Sequence, residues 1–283
     1  MIPAAFDYVR PASVADAVAA LAAAGDEAKI LAGGQSLLPV LRLRLAAPTT
    51  VIDLGGVAQL RGITVEGDEL VIGSMTTHAE VVASDLVRAE APLLSIVAQT
   101  VADRQVRHRG TLGGSLSHAD PAGDLGAAVL ALDATMVVEG PGGQRSIAAR
   151  DFFVDLFTTA LGDDDVLVAV RVPRMPGWTV HYEKFKRTHQ AWAIVGVAAA
   201  VRRENGAIAE ARIGLTNMGP VPTRASACES ALVGAADLGT VRAATAAVGE
   251  ATTPPSDVSG SAEYRRHLAG VLTARAVATA AGL

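Results

Sequence analysis

Two glycine-rich segments carry the residue types best suited to holding an anion. The first is Ala32-Gly33-Gly34-Gln35-Ser36-Leu37, directly after a predicted strand, and the second is Thr111-Leu112-Gly113-Gly114-Ser115. Because glycine has no Cβ, paired glycines let successive backbone N–H groups approach the same phosphate oxygens. The hydroxyl and amide side chains around them add neutral donors. The two segments together predict a phosphate-binding site.

The sequence lacks the motifs of several common enzyme classes. No Gly-x-Gly-x-x-Gly segment opens a helix, and no Gly-Lys pair exists for a P-loop, because the lysines are Lys29, Lys184 and Lys186. His-Glu-x-x-His, Cys-x-x-Cys and Gly-x-Ser-x-Gly are also absent. These absences disfavour Rossmann and P-loop nucleotide sites, zinc hydrolases and serine hydrolases. We therefore predict no catalytic side chain and no metal site in this chain.

The composition is that of a compact globular protein with a mild negative charge. Half of the 283 residues are hydrophobic and 19% are charged, which disfavours disorder. The net charge is −5, so the chain has no long-range attraction for a polyanion. We therefore expect no nucleic-acid partner.

Cysteine content and apolar runs bear on the cellular setting. The lone Cys228 can form no internal disulfide and cannot hold an iron–sulfur cluster, which needs four protein ligands. The longest apolar stretch, Ala191 to Val201, is too short to span a bilayer. Near the N-terminus, Pro3, Asp7 and Arg10 interrupt any signal-peptide pattern. We expect a cytoplasmic protein with no membrane span.

The spacing of apolar residues and turn residues predicts two domains. Residues 1–173 begin with a βαβ unit whose helix runs from about Ser13 to Ala24, and helical patterns occupy about Ala79 to Val101. The segment Arg174-Met175-Pro176-Gly177 is the expected boundary before residues 178–283. The second domain is predicted to contain three helices after three antiparallel strands, at Thr179 to Phe185, Ala193 to Val201 and Ile208 to Leu215.

The two glycine motifs and the segments around them form a specific pattern. The second motif is followed by Ala119-Asp120-Pro121-Ala122-Gly123-Asp124-Leu125. This pattern resembles the FAD-binding medium subunit of molybdenum hydroxylases, a family that includes carbon monoxide dehydrogenase and bacterial xanthine dehydrogenase flavoproteins. The resemblance covers nearly the whole chain through Phe6-Asp7-Tyr8, Val51-Ile52-Asp53-Leu54, Gln105-Val106-Arg107, Tyr182-Glu183-Lys184-Phe185, Gly219-Pro220-Val221-Pro222-Thr223-Arg224-Ala225 and Tyr264-Arg265-Arg266.

The resemblance implies an α+β fold. Residues 1–173 would form a two-subdomain FAD-binding domain of the molybdenum hydroxylase / vanillyl-alcohol-oxidase type, divided near residues 55–60. Residues 178–283 would form a C-terminal α/β domain that covers the flavin, with a three-stranded antiparallel sheet and helices. Each subdomain would contribute one glycine-rich loop to the FAD pyrophosphate.

The resemblance also implies which residues contact FAD. Asp124 would hydrogen-bond the polar flavin or ribitol edge, while Leu167 and Lys186 would approach the isoalloxazine ring. Trp192 either stacks on that ring or packs in the core. Ser115 and His118 depart from residues common in relatives. The complete predicted set is Ala32, Gly33, Gly34, Gln35, Ser36, Leu37, Thr111, Gly113, Gly114, Ser115, His118, Asp124, Leu167 and Lys186.

The function that the resemblance implies is electron transfer. FAD would receive electrons from an iron–sulfur small subunit and pass them to an external acceptor, while a molybdenum-cofactor large subunit acts on the substrate. Two alternatives remain at this point. One is a stand-alone FAD oxidoreductase with its own pocket, for which no general base is evident, and the other is a structural subunit without cofactor. The substrate and the acceptor stay open.

Overall fold

The structure is a computed structural model that describes residues 2–283. Its fold is α+β, as the sequence predicts, with three main sheets that each pack against helices. The first sheet is parallel, and the central and C-terminal sheets are antiparallel. The order of the elements along the chain places one glycine-rich segment in each of the first two units.

The first sheet consists of three short strands in the order β1-β3-β2. Its strands are β1 (Asp7–Val9), β2 (Ala28–Leu31) and β3 (Thr50–Asp53), and its helices are α1 (Val14–Ala24) and α2 (Leu37–Arg42). Ser13 begins α1 by accepting a hydrogen bond from the Asp16 N–H at 3.1 Å. Gly25, with φ of 66°, ends it. The predicted βαβ unit is therefore present.

The central sheet has five strands in the order β4-β5-β10-β6-β7. In chain order the strands of this unit are β4 (Ile63–Glu66), β5 (Glu69–Gly73), β6 (Thr135–Gly140), β7 (Gly143–Ala148), β8 (Phe153–Asp155), β9 (Thr158–Thr159) and β10 (Val166–Pro173). A hairpin turn at Gly67, which has φ of 64°, joins β4 to β5. Strands β8 and β9 form a separate small hairpin. Three short 3₁₀ turns, Gly25–Glu27, Leu54–Gly56 and Ala58–Leu60, precede this sheet.

Seven helices belong to the central unit. They are α3 (His78–Ala83), α4 (Asp85–Glu90), α5 (Pro92–Thr100), α6 (Arg104–Arg107), α7 (Leu112–His118), α8 (Asp124–Ala131) and α9 (Ala149–Phe152). The helical stretch expected between Ala79 and Val101 is divided into three helices. Ser84 caps α4 through its side chain, and Pro92 at the start of α5 cannot donate a helical hydrogen bond. These breaks let the chain fold around the core of the central sheet.

The C-terminal sheet has four strands in the order β11-β12-β13-β14. They are β11 (Trp178–Phe185), β12 (Val195–Glu204), β13 (Ala207–Thr216) and β14 (Thr223–Arg224), followed by helices α10 (Ser226–Leu232), α11 (Leu238–Thr245) and α12 (Ala262–Ala281). The expected count of three strands is one too low. Two residues are too few to show an alternating pattern, and β14 exists because Leu215 and Gly214 of β13 pair with it.

The C-terminal sheet is buried on both faces. One face packs against α10, α11 and α12 through residues such as Val197 and Ile213. The other face contributes Tyr182, Ala198 and Ala200 to the core of the central unit. Side chains of this second face therefore reach the central helices. The predicted division at residues 174–177 falls between β10 and β11 and stays a prediction, as does the division near residues 55–60.

Helix α12 is the longest helix, with 20 residues. Across residues 2–283, no helix combines the length and the apolar character that crossing a bilayer requires.

Candidate functional site

Loop 1, residues 32–37, connects β2 to α2. Gly34 lies in the left-handed region with φ of 74°, a conformation that favours glycine. Its carbonyl accepts a hydrogen bond from the Leu38 N–H at 3.1 Å, which starts the helix. Within residues 2–283, the backbone N–H groups of Gly34, Gln35 and Ser36 have no protein acceptor. Loop 1 therefore presents a run of free backbone donors.

Loop 2, residues 109–115, leads into α7 and is hydrogen-bonded to the chain around it. Thr111 caps α7, because its Oγ1 accepts from the Gly114 N–H at 3.1 Å. The Gly113 N–H donates to the Ser74 carbonyl at 2.8 Å, and the Leu112 N–H donates to the Thr76 carbonyl at 2.9 Å. Loop 2 is therefore held in place by the surrounding chain, and its N–H groups from Leu112 to Ser115 are already engaged.

The structure brings the two loops into direct contact. A Cβ added to Gly33 would lie 2.7 Å from the Gly110 Cα and against the Arg109 carbonyl. A Cβ added to Gly114 would lie 3.1 Å from the Ala32 Cβ. Glycine is thus required for the packing of one loop on the other, and not only for approach to a ligand. The two predicted motifs are therefore in contact at Gly33 and Gly114.

Asp124 lies at the start of α8, and its side chain is nearly fully buried. The Tyr182 hydroxyl donates to its Oδ1 at 2.6 Å, and Lys184 Nζ donates to its Oδ2 at 2.7 Å. Lys184 also donates to the Thr100 carbonyl at 3.1 Å. Burial raises the pKa of the Asp124 carboxyl, and Lys184 opposes that rise. Sequence reasoning assigned Tyr182 and Lys184 no role.

The sequence does contain a pattern that could have identified Tyr182 and Lys184. Tyr182 and Lys184 are two positions apart on a predicted strand, so their side chains share one face. That face looks toward the core of the central unit, where a lysine needs a carboxylate partner. The identity of that partner, Asp124, is a contact across about 60 positions of sequence, which no local pattern shows.

The remaining predicted residues lie in different surroundings. Lys186 Nζ donates to the His189 carbonyl at 3.0 Å, and partial burial, together with Lys184, lowers the pKa of its ammonium group. The His118 ring lies 5.2 Å from the Phe157 ring. Leu167 is 5% exposed in β10, within the core of the central unit. The contacts of all three with a flavin stay predictions.

Trp192 is 55% exposed, which contradicts its packing in the core, while its stacking on the flavin ring stays a prediction. Its flat indole face is available to a ligand ring. Within residues 2–283, no group of three or more His, Cys, Asp or Glu residues is placed to hold a metal ion.

Two family matches divide the chain between them. Residues 4–175 match the family described as FAD binding domain in molybdopterin dehydrogenase. Residues 180–280 match the CO dehydrogenase flavoprotein C-terminal domain. The glycine loops and Asp124 fall in the first match, and Tyr182, Lys184 and Lys186 fall in the second.

Full-length relatives give the same assignment. The chain is 41% identical to the carbon monoxide dehydrogenase medium chain of Hydrogenophaga pseudoflava, over 98% of this chain and 97% of that one. It is 37% identical to the caffeine dehydrogenase subunit beta of Pseudomonas sp. strain CBB1, over 99% and 96%.

A solved structure of carbon monoxide dehydrogenase from Hydrogenophaga pseudoflava, lacking the Mo-pyranopterin moiety, superposes with a TM-score of 0.96 at 42% identity. It covers 99% of this chain and 98% of the other. The chain therefore belongs to the family of FAD-binding medium subunits of molybdenum hydroxylases, as its two glycine motifs predicted.

Proposed function

We propose that this chain is the FAD-carrying electron-transfer subunit of a molybdenum-containing dehydrogenase. In this proposal an iron–sulfur small subunit delivers electrons to the chain, and a molybdenum-cofactor large subunit acts on the substrate. FAD supplies the exchange between one-electron and two-electron transfer to the external acceptor. The residues of this chain bind and orient that cofactor.

The observation that carries the proposal is the pairing of loop 1 with loop 2. The N–H groups of Gly34, Gln35 and Ser36 are unpaired within the described residues, so they are free to donate to a bound anion. The residues just before them, Ala32 and Gly33, are in contact with the second glycine loop at Gly114 and Gly110. Such a donor array suits the two negative charges of a pyrophosphate. The residues present therefore fit FAD.

Loop 1 would hold the pyrophosphate through backbone N–H groups and the Gln35 and Ser36 side chains. Loop 2 would form the opposite wall and add the hydroxyl groups of Thr111 and Ser115. Neutral donors of this kind orient a charged group without a competing ion pair. His118 and Leu37 complete the proposed contacts at the ends of the loops.

The flavin end of the site would be formed by Asp124, Leu167, Lys186 and Trp192. Lys186 carries a positive charge near this region, and a cation there favours added negative charge on the ring. The indole face of Trp192 would exclude water from one side of the ring.

The substrate of the complex is proposed to lie outside this chain. Relatives of similar identity are named for enzymes of carbon monoxide and of caffeine, two chemically unrelated molecules. One medium-subunit fold therefore accompanies different substrate chemistries.

Stopped-flow reduction tests the proposal. The FAD-loaded chain is mixed anaerobically with carbon monoxide, with caffeine, or with the pre-reduced iron–sulfur subunit of its own complex. We expect the flavin absorbance to stay unchanged with either small molecule and to fall rapidly with the iron–sulfur subunit. Reduction by a small molecule in the isolated chain would instead support the stand-alone oxidoreductase. Failure of the chain to take up FAD at all would overturn the flavoprotein assignment.

A further inference from the structure

The contact between α8 and the C-terminal sheet is unusually close. A Cβ added to Gly214 of β13 would lie 3.0 Å from the Ala127 Cα and against the Ala127 carbonyl. Next to this contact, the Asn217 N–H donates to the Pro121 carbonyl at 2.8 Å. The segment that follows loop 2 is therefore fixed by the C-terminal sheet over residues 121–127.

One buried ion pair lies within this contact. The side chains of Lys184 and Asp124 are 4% and 3% exposed, and Lys184 Nζ is 2.7 Å from the carboxylate. The Tyr182 hydroxyl also contacts Asp124, and it has room there because the neighbouring Gly196 has no Cβ. A Cβ added to Gly196 would meet the Tyr182 hydroxyl and would lie 3.0 Å from the Thr216 Cβ. The C-terminal sheet thus supplies both donors that hold Asp124.

We propose that Tyr182 and Lys184 are positioning residues for the flavin: by holding Asp124 from the C-terminal sheet, they make FAD affinity and the flavin reduction potential depend on how that sheet docks on α8. This inference rests on the proposed function, which places Asp124 at the flavin. Neither residue needs to contact FAD. Each acts through the orientation and charge of Asp124.

The charges around Asp124 explain why the flavin reduction potential would depend on this contact. Lys184 and Asp124 sum to zero, so the flavin region is left with the positive charge of Lys186. The charged and titratable groups that face Asp124 are Tyr182 and Lys184 from β11 and, beyond them, Lys186; α5 contributes the Thr100 carbonyl. Removal of Lys184 leaves a buried carboxylate without its cation, and such a group takes up a proton more readily.

Four variants of the full-length chain test the inference: Lys184→Met, Asp124→Asn, the double variant, and Lys184→Arg. We expect Lys184→Met to weaken FAD binding about 10- to 100-fold, the effect of losing a hydrogen bond to a charged group. We also expect Lys184→Met to add a pH dependence to the flavin potential, beyond the slope that proton uptake by the flavin itself gives both proteins. The double variant should lose that pH dependence and recover part of the affinity. Lys184→Arg should restore both properties in part.

Two exposed residues give matched controls. Lys29→Met removes a lysine that lies exposed on β2, and Tyr264→Phe matches Tyr182→Phe at a partly exposed ring. Both controls should leave FAD affinity and potential unchanged, while Tyr182→Phe should lower the affinity. Thermal unfolding of every variant separates lost binding from lost folding.

The outcomes distinguish the two proposals. If the wild-type chain binds no FAD, the proposed function fails. If the wild type binds FAD and Lys184→Met matches it in affinity and in the slope of the flavin potential against pH, the positioning inference alone is overturned. A loss of binding free energy in the double variant that equals the sum of the losses in the two single variants would also overturn it, because additivity means that the residues act independently.

Discussion

The two glycine loops have similar sequences but differ in how their backbone groups are used. Loop 1 leaves the N–H groups of Gly34, Gln35 and Ser36 without protein acceptors in the described chain. In loop 2 the N–H groups from Leu112 to Ser115 all donate to protein oxygens. The two loops therefore differ in their free backbone donors: loop 1 has them, and in loop 2 the protein itself uses those from Leu112 to Ser115. A Gly-Gly pair in the sequence is compatible with either role.

Within each loop, the two glycines of the pair have different neighbours. The first of each pair, Gly33 and Gly113, lies against the backbone of a neighbouring segment, where nothing can move aside cheaply. The second of each pair, Gly34 and Gly114, lies against side chains such as Leu38 and Thr111. Substitution at the first position should therefore damage the fold and FAD binding together.

The largest effect is predicted for Gly33→Val. The new side chain would overlap the Arg109 carbonyl and separate the loops, so we expect loss of FAD and destabilisation of about 3 kcal/mol. Gly142→Val is a suitable control, because an added Cβ there meets nothing within 4 Å. Urea unfolding and the FAD content of the purified protein are the measurements. Full FAD occupancy in Gly33→Val would show that the contact between the loops is dispensable.

A pH effect is predicted behind loop 2. His78 is buried against Gly110, its Nδ1 has no hydrogen-bond partner within residues 2–283, and burial lowers its pKa to about 4. The unfolded chain therefore binds a proton more readily than the folded chain between the ordinary pKa of about 6.5 and the folded value. The free energy of unfolding therefore has its full value above the ordinary pKa of histidine. As the pH falls toward the pKa of His78 in the folded chain, it decreases by about 3 kcal/mol in all.

The measurement is the free energy of unfolding as a function of pH, in the wild type and in His78→Asn. The variant should show a shallower loss of stability on the acid side. Identical slopes in the two proteins would mean that His78 is not the group responsible.

The sequence predicted both loops, but not the difference in how their backbone N–H groups are used. Gly33, Gly34, Gly113 and Gly114 are recognisable because two glycine pairs occur together with hydroxyl and amide side chains around them, although a single pair would be a weak signal. Their different environments depend on Arg109, Ser74 and Thr76, which approach through the tertiary fold. Local propensity carries no information about such contacts.

The same limit applies to the rest of the fold. Helix α1 was predictable because Ser13 and Gly25 mark its ends. The two-residue strand β14 was not, because it is defined by its pairing with β13. The buried pair of Asp124 and Lys184 likewise joins elements that are far apart in sequence, and only their burial shows that each needs the other.

A smaller effect is predicted for Thr111→Ala. It removes the hydroxyl that caps α7 and leaves the Gly114 N–H unpaired, which costs about 1 kcal/mol. Thr111→Ser keeps the hydroxyl and should be close to the wild type. Because loop 2 is the internally bonded loop, the change should appear in urea unfolding of the FAD-free protein. Unchanged unfolding of the FAD-free protein would mean that the Thr111 hydroxyl does not stabilise α7.

The smallest effects are predicted for Ser36→Ala and Ser115→Ala, and they compare the loops directly. The Ser115 N–H already donates to the Thr111 carbonyl at 3.0 Å, so its hydroxyl is the one donor it can offer a ligand. Ser36 would keep its free N–H after the hydroxyl is removed. We therefore expect Ser115→Ala to weaken FAD binding by about 1 kcal/mol, with a smaller loss in Ser36→Ala, and neither to change unfolding of the FAD-free chain. FAD titration monitored by flavin fluorescence measures both, and the reverse order would mean that the Ser36 side chain, not the backbone of loop 1, provides the main contact.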